Sequence, residues 1–119
     1  MCIRDRFEDA VKTNDTMVAS AWSSLESSKS FLNSVIAQVR AAKIANEGIS
    51  AEYERGSRTT LDVIQSNSLL LTAQISLANS ERNYLMAQYN LLKSVGLLSS
   101  DYLKPVSYTH LTLPTILLV

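Results

Sequence analysis

Apolar and small side chains recur every three or four residues through the first half of the chain. The repeat runs from Val18 to Tyr53 without a proline, and its average period is about 3.5 residues. Its members are Val18, Ala21, Leu25, Ser28, Leu32, Val35, Val39, Ala42, Asn46, Ile49 and Tyr53. This period is typical of a coiled-coil seam, so the sequence predicts one long helix from about residue 16 to about residue 55.

The second half of the chain carries two repeats of this kind on one predicted helix, from about residue 60 to about residue 96. The first alternates large and small residues: Val63, Ser66, Leu70, Ala73, Leu77, Ser80, Tyr84, Ala87, Leu91, Ser94 and Leu98. The second consists of Ile64, Ser68, Leu71, Ile75, Ala78, Arg82, Leu85, Tyr89, Leu92 and Gly96. Two paired helices cover one repeat each, so we expect further helices, from missing chain or from other subunits, to cover the second repeat.

A short polar segment, residues 56–59, separates the two predicted helices. Gly56, one of three glycines in the chain, can adopt the left-handed backbone conformation that ends a helix. Thr59 and Asp62 then match a capping box, in which Thr59 is the N-cap and the Asp62 carboxylate accepts a free backbone N–H. The segment predicts the tip of a hairpin. The fold class is therefore all-α in this fragment, a long antiparallel coiled-coil helical hairpin.

Both ends of the chain match the two strands of one sequencing-library oligonucleotide. Met1–Arg6 corresponds to the translation of ATG TGT ATA AGA GAC AG, and Val106–Thr115 to that of its reverse complement and the adapter that follows. We therefore expect residues 1–6 and 105–119 to be adapter-derived. Residues 7–104 are then the natural segment, truncated at both ends.

Excluding these ends removes much of the potential chemistry. The only cysteine, Cys2, and the only histidine, His110, lie in them, so residues 7–104 offer no thiol nucleophile, imidazole base or soft metal ligand. The same residues contain nine Lys and Arg against ten Asp and Glu. There is thus no excess of positive charge that would indicate binding to nucleic acid. We expect no enzyme activity, no cofactor, no metal and no nucleic-acid partner.

The tip and the helix after it carry motifs of a known family. The motifs are Gly56-Ser57-Arg58-Thr59, Asp62-Val63, Leu77-Ala78, Tyr84 and Gly96-Leu97-Leu98. With them, most of Trp22–Leu103 resembles the C-terminal part of TolC-like outer-membrane efflux proteins. The resemblance implies a homotrimer with an outer-membrane β-barrel and a periplasmic α-barrel, in which this hairpin is one part. It also implies a channel for tripartite efflux or type I secretion that works with a periplasmic adaptor protein and an inner-membrane pump.

The resemblance further implies roles at the tip, which in this family is the periplasmic entrance. By motif position, Tyr53 and Arg58 match residues that hold the entrance closed, and Asp62 matches a carboxylate that lines the constriction. Gln65 stands where members with two carboxylate rings have a second Asp, so we expect that ring to be absent. Three copies of Asp62 around one axis would raise one another's pKa and favour cations, and a nearby Arg58 would relieve the repulsion in the closed state.

Simpler roles and other protein classes remain open on the residues alone. Asp62 is first of all a helix-cap carboxylate, and Arg58 can be a solvated loop residue. The α-hairpin of a periplasmic adaptor protein is one alternative, but neither residues 7–15 nor residues 99–104 read as the β-strands that would flank it. A generic coiled-coil scaffold is another alternative. It would explain neither the second repeat on the second helix nor the sequence motif that begins at Gly56 in the tip.

Overall fold

The computed structural model describes residues 3–99, almost all of which belong to two long helices. Helix α1 spans Ile3–Glu54 and helix α2 spans Thr60–Val95. The described residues contain no strand, and the predicted all-α helical hairpin is confirmed. Neither α1 nor α2 combines the length and the apolar character that crossing a membrane requires. Cys2, His110 and the predicted adapter-derived residues 105–119 lie outside the described residues.

Helix α1 begins at Ile3, well before the boundary near residue 16 that the apolar repeat predicts. No glycine or proline interrupts these first residues, and Asp5 lies in the first turn, where the helix dipole favours a negative charge. Arg4 and Glu8, one turn apart, also form an ion pair with an Nε–Oε1 distance of 3.6 Å. The predicted start of α1 was wrong because the apolar repeat marks only the residues that pack against another helix. A helix can extend beyond its packed part when no residue interrupts it. The assignment of residues 1–6 to an adapter stays a prediction.

Helix α2 ends beside a glycine, within one residue of the predicted boundary. Gly96 has a φ of +78°, in the left-handed region. The N–H of Leu97 donates to the carbonyl of Leu92 at 2.9 Å, and the N–H of Gly96 donates to the carbonyl of Lys93 at 3.1 Å. These are the two bonds of a Schellman motif, which satisfies carbonyl groups that the end of a helix leaves free.

Residues 23–87 form a compact unit in which parts of α1 and α2 pack side by side as an antiparallel hairpin. The most buried side chains of α2 are small and recur every seventh residue: Ser66, Ala73, Ser80 and Ala87, which are 2–8% exposed. On α1 the most buried side chain is Val35, at 4%. Side chains of both helices line a shallow groove: Ser27, Ser28, Phe31, Ser80 and Asn83. The alternation of large and small residues thus gives the close helix packing that the sequence predicts.

Within residues 23–87, only one of the two repeats on α2 is covered by α1. Within residues 23–87, the members of the α1 repeat and of the first α2 repeat are buried or partly buried, except Tyr53, which is 44% exposed. The large members of the second α2 repeat in this unit are Ile64, Leu71, Ile75 and Leu85, and they are 41–59% exposed. The prediction that a hairpin covers one repeat on each helix is confirmed, and the second repeat forms an exposed apolar strip.

Among the described residues, 3–22 and 88–99 form a second unit. In it, Val18 of α1 and Leu91 of α2 are partly buried. Phe7, near the start of α1, is 68% exposed. The α1 repeat is therefore covered at Val18, whereas the earlier apolar residue Phe7 lies open to solvent.

Candidate functional site

The site predicted from the sequence is the turn between the two helices. Helix α1 stops there because Gly56 adopts a φ of +80°. The N–H of Ser57 donates to the carbonyl of Glu52, and the N–H of Gly56 donates to the carbonyl of Tyr53, each at 2.9 Å. This is a second Schellman motif. A Cβ added at Gly56 would meet nothing within 4 Å, so the backbone conformation alone favours glycine at this position.

The start of α2 is fixed by the predicted capping box. The backbone N–H of Thr59 donates to Oδ2 of Asp62 at 3.0 Å, and the Thr59 hydroxyl donates to the same oxygen at 2.8 Å. In return, the N–H of Asp62 donates to Oγ1 of Thr59 at 3.3 Å. The bonds from the backbone and then the hydroxyl of Thr59 hold the pKa of Asp62 below its ordinary value, because they stabilise the charged carboxylate. In the single hairpin, Asp62 is thus a helix cap.

Arg58 is paired with a residue that sequence reasoning did not single out. Its Nε donates to Oε2 of Glu52 at 2.6 Å, and the two side chains are 48% and 49% exposed. The hydrogen bond to Glu52, and then its charge, raise the pKa of Arg58. The charge of Arg58 also lowers the pKa of Asp62, but less than the bonds from Thr59 do. The main partner of Arg58 in the hairpin is therefore Glu52.

The sequence did contain a signal for this pair. In a Schellman motif, the second residue after the last helical turn folds back onto a carbonyl inside that turn. Here Ser57 folds back onto the carbonyl of Glu52, and Arg58 follows Ser57 directly. A basic residue just after such a turn and an acidic residue at its start therefore lie close together.

The remaining predicted site residues lie at or near the same tip. The hydroxyl of Tyr53 accepts a hydrogen bond from the Thr60 hydroxyl at 3.5 Å, which is at the limit for such a bond. Gln65 lies one turn into α2 from Asp62, with its side chain exposed. Within residues 3–99, no group of three or more His, Cys, Asp and Glu side chains is arranged to hold a metal ion. The tip therefore presents exposed charged and hydroxyl groups to its surroundings.

No family model matches the chain, but individual proteins do. The outer membrane efflux protein BepC of Brucella suis biovar 1 (strain 1330) is 35% identical over 86 residues, covering 72% of this chain and 19% of BepC. The outer membrane protein TolC of Escherichia coli (strain K12) is 30% identical over 111 residues, covering 87% of this chain and 22% of that protein. This helical segment belongs to the TolC-like outer-membrane efflux proteins.

A third relative agrees with this assignment. The outer membrane protein TolC of Salmonella enteritidis is 28% identical over 105 residues, covering 88% of this chain and 21% of that protein. The matched segment of this chain spans only 19–22% of the length of each of these relatives. The likeness therefore covers most of this hairpin and a small part of each complete relative.

Proposed function

We propose that this hairpin is a wall segment of the periplasmic tunnel of an outer-membrane efflux channel, and that its tip forms part of the tunnel entrance. The channel is a homotrimer that is reached from the inner membrane through a periplasmic adaptor protein and a pump. The observation that carries the proposal is that a hairpin homologous to outer-membrane efflux proteins leaves the large apolar residues of its second α2 repeat exposed from Ile64 to Leu85.

The uncovered repeat supports assembly with further helices. Ile64, Leu71, Ile75 and Leu85 are each about half exposed, and they extend over about 32 Å of helix at 1.5 Å per residue. Burying these four side chains against other helices would contribute roughly 25 cal/mol per Å² of apolar surface removed from water, and an exposed apolar strip of this kind commonly marks an interaction site. In the proposed tunnel, helices from the same protomer and its neighbours cover the strip, as in other helix bundles with two packed faces.

The chemistry of the tip supports a role as a gate. Tyr53 and Arg58 carry exposed donors that, in the closed entrance, would bond to helices outside this hairpin. Three copies of Asp62 would line the constriction and favour cations. Gln65 would add no second carboxylate ring. Contact with the adaptor and pump would open the entrance by exchanging these exposed bonds for others.

The assembly can be tested with one charge placed on the apolar strip. In the full-length protein, Ile75→Asp is expected to break or weaken the trimer, because the carboxylate would be buried between helices without a partner. Gln74→Asp is the matched control, since Gln74 is exposed and adjacent but lies outside the repeat. The measurement is molar mass by light scattering in detergent. A wild-type monomer, or an Ile75→Asp trimer as stable as the control, would contradict the proposal.

The gate can be tested by conductance. In planar bilayers, the Arg58→Ala channel is expected to conduct more than the wild type, because the closed entrance loses a donor. Arg55→Ala removes the same charge from the same exposed tip three residues earlier, and we expect it to leave the conductance unchanged. Unchanged conductance of Arg58→Ala would reject the gate role of this arginine.

A further inference from the structure

The Glu52–Arg58 ion pair lies in the tip, and it forms without any neighbouring hairpin. The contact is a charge-assisted hydrogen bond of 2.6 Å between residues on opposite sides of the Gly56 turn. The backbone holds both partners in place, because the carbonyl of Glu52 accepts the N–H of Ser57 at 2.9 Å. The turn therefore keeps Glu52 within reach of Arg58 for as long as it remains folded.

This contact matters for an entrance in which Arg58 bonds to a neighbouring helix. A guanidinium that leaves its partner and finds no other loses a charge-assisted hydrogen bond. In this hairpin Arg58 has an acceptor of its own, so release from a neighbour does not leave it unpaired. Closing the entrance through Arg58 must instead compete with Glu52.

We propose that Glu52 is the acceptor that takes Arg58 when the entrance opens, and that it thereby favours the open state. The inference rests on the proposed function of the tip as an entrance gate. Glu52 is a positioning residue in this scheme, because it acts on the gate through Arg58. Opening then exchanges one partner of Arg58 for another, which is a common device in two-state protein switches.

A second acidic residue of the tip separates this effect from net charge. Glu54 is exposed and lies two residues after Glu52, about 200° away around the helix. Within residues 3–99 it has no ion-pair partner. Removing Glu54 therefore changes the charge of the tip by the same amount without releasing Arg58.

The test is single-channel recording of the full-length protein, with the ratio of open to closed dwell times as the readout. Glu52→Ala is expected to lower this ratio by about 1.5- to 5-fold for each tip, the range for an exposed ion pair. Glu52→Gln preserves the shape of the side chain and is expected to lower the ratio less. Glu54→Ala should leave it unchanged. Arg58→Ala should raise it, and in that background Glu52→Ala should have no effect.

The outcomes separate this inference from the proposed function. If Arg58→Ala raises the ratio while Glu52→Ala leaves it unchanged or raises it, only the role of Glu52 is refuted. An equal fall with Glu54→Ala, or the same fall in the Arg58→Ala background, also refutes it, because the effect would then be one of charge alone. If Arg58→Ala does not raise the ratio, the gate itself is refuted, and the role of Glu52 with it.

Discussion

Replacing glycine with alanine should have opposite effects on stability at two positions, one inside α1 and one in the tip. Gly48 lies inside helix α1, whereas Gly56 lies in the turn with a φ of +80°. A Cβ added at either position meets nothing within 4 Å, so neither alanine would clash with the fold. The two substitutions therefore differ only in the backbone conformation that the new side chain must adopt.

The magnitudes follow from that difference. Alanine in a left-handed conformation costs about 1–2 kcal/mol in the folded state. Alanine also has fewer conformations than glycine in the unfolded chain, which stabilises the folded state by about 0.4–1 kcal/mol and offsets part of this cost. Gly56→Ala should thus destabilise the hairpin by about 1 kcal/mol. Alanine inside a helix is favoured over glycine by about 1 kcal/mol, so Gly48→Ala should stabilise it by that amount. The free energies of unfolding of the two variants should differ by about 2 kcal/mol.

The assay is urea denaturation of the 119-residue chain, followed by circular dichroism at 222 nm at one protein concentration. In thermal scans each 1 kcal/mol corresponds to a shift of about 4–8 °C for a domain of roughly this size. A Gly56→Ala variant as stable as the wild type would refute the claim that the left-handed turn ends α1. A loss of stability in Gly48→Ala would refute the claim that both sites are free of steric contact.

Two further predictions concern the cap and the packed face of α2. Because the folded pKa of Asp62 is depressed, its capping contribution is present above the unfolded pKa of about 3.9 and is lost as pH falls through the folded pKa. The stability advantage of the wild type over Asp62→Asn, measured as the melting midpoint from pH 6 to pH 2, should therefore shrink at the acid end; parallel profiles would contradict this. Ser80 is 2% exposed, so Ser80→Leu should overpack the helix interface and cost about 1–3 kcal/mol in urea denaturation. The exposed control Asn79→Leu should stay within about 0.5 kcal/mol of the wild type, and equal effects would argue against close packing at Ser80.

The parts of the fold that could be predicted from the sequence depend on contacts between residues near one another in the chain. Gly56 ends α1 through its own backbone conformation, and Thr59 and Asp62 begin α2 through bonds that span three residues. The repeats likewise report the faces of each helix, because side chains three and four residues apart lie on the same side. These features depend on local contacts, which is why the sequence was sufficient to predict them. The hairpin of two long helices is confirmed.

What only the tertiary structure decided depends on residues from different helices or from different sides of the turn. The sequence gives α2 two similar repeats, and it is the packing of α1 that covers the one containing Ser66 and Ser80 and exposes the one containing Ile75. Asn46 continues the α1 repeat, yet the fold buries its Oδ1 without a hydrogen-bond partner among residues 3–99. Arg58 could have met either Asp62 or Glu52, and the backward fold of the Gly56 turn selects Glu52. Periodicity identifies a face of a helix, but its partner is decided by the distances that the folded chain sets.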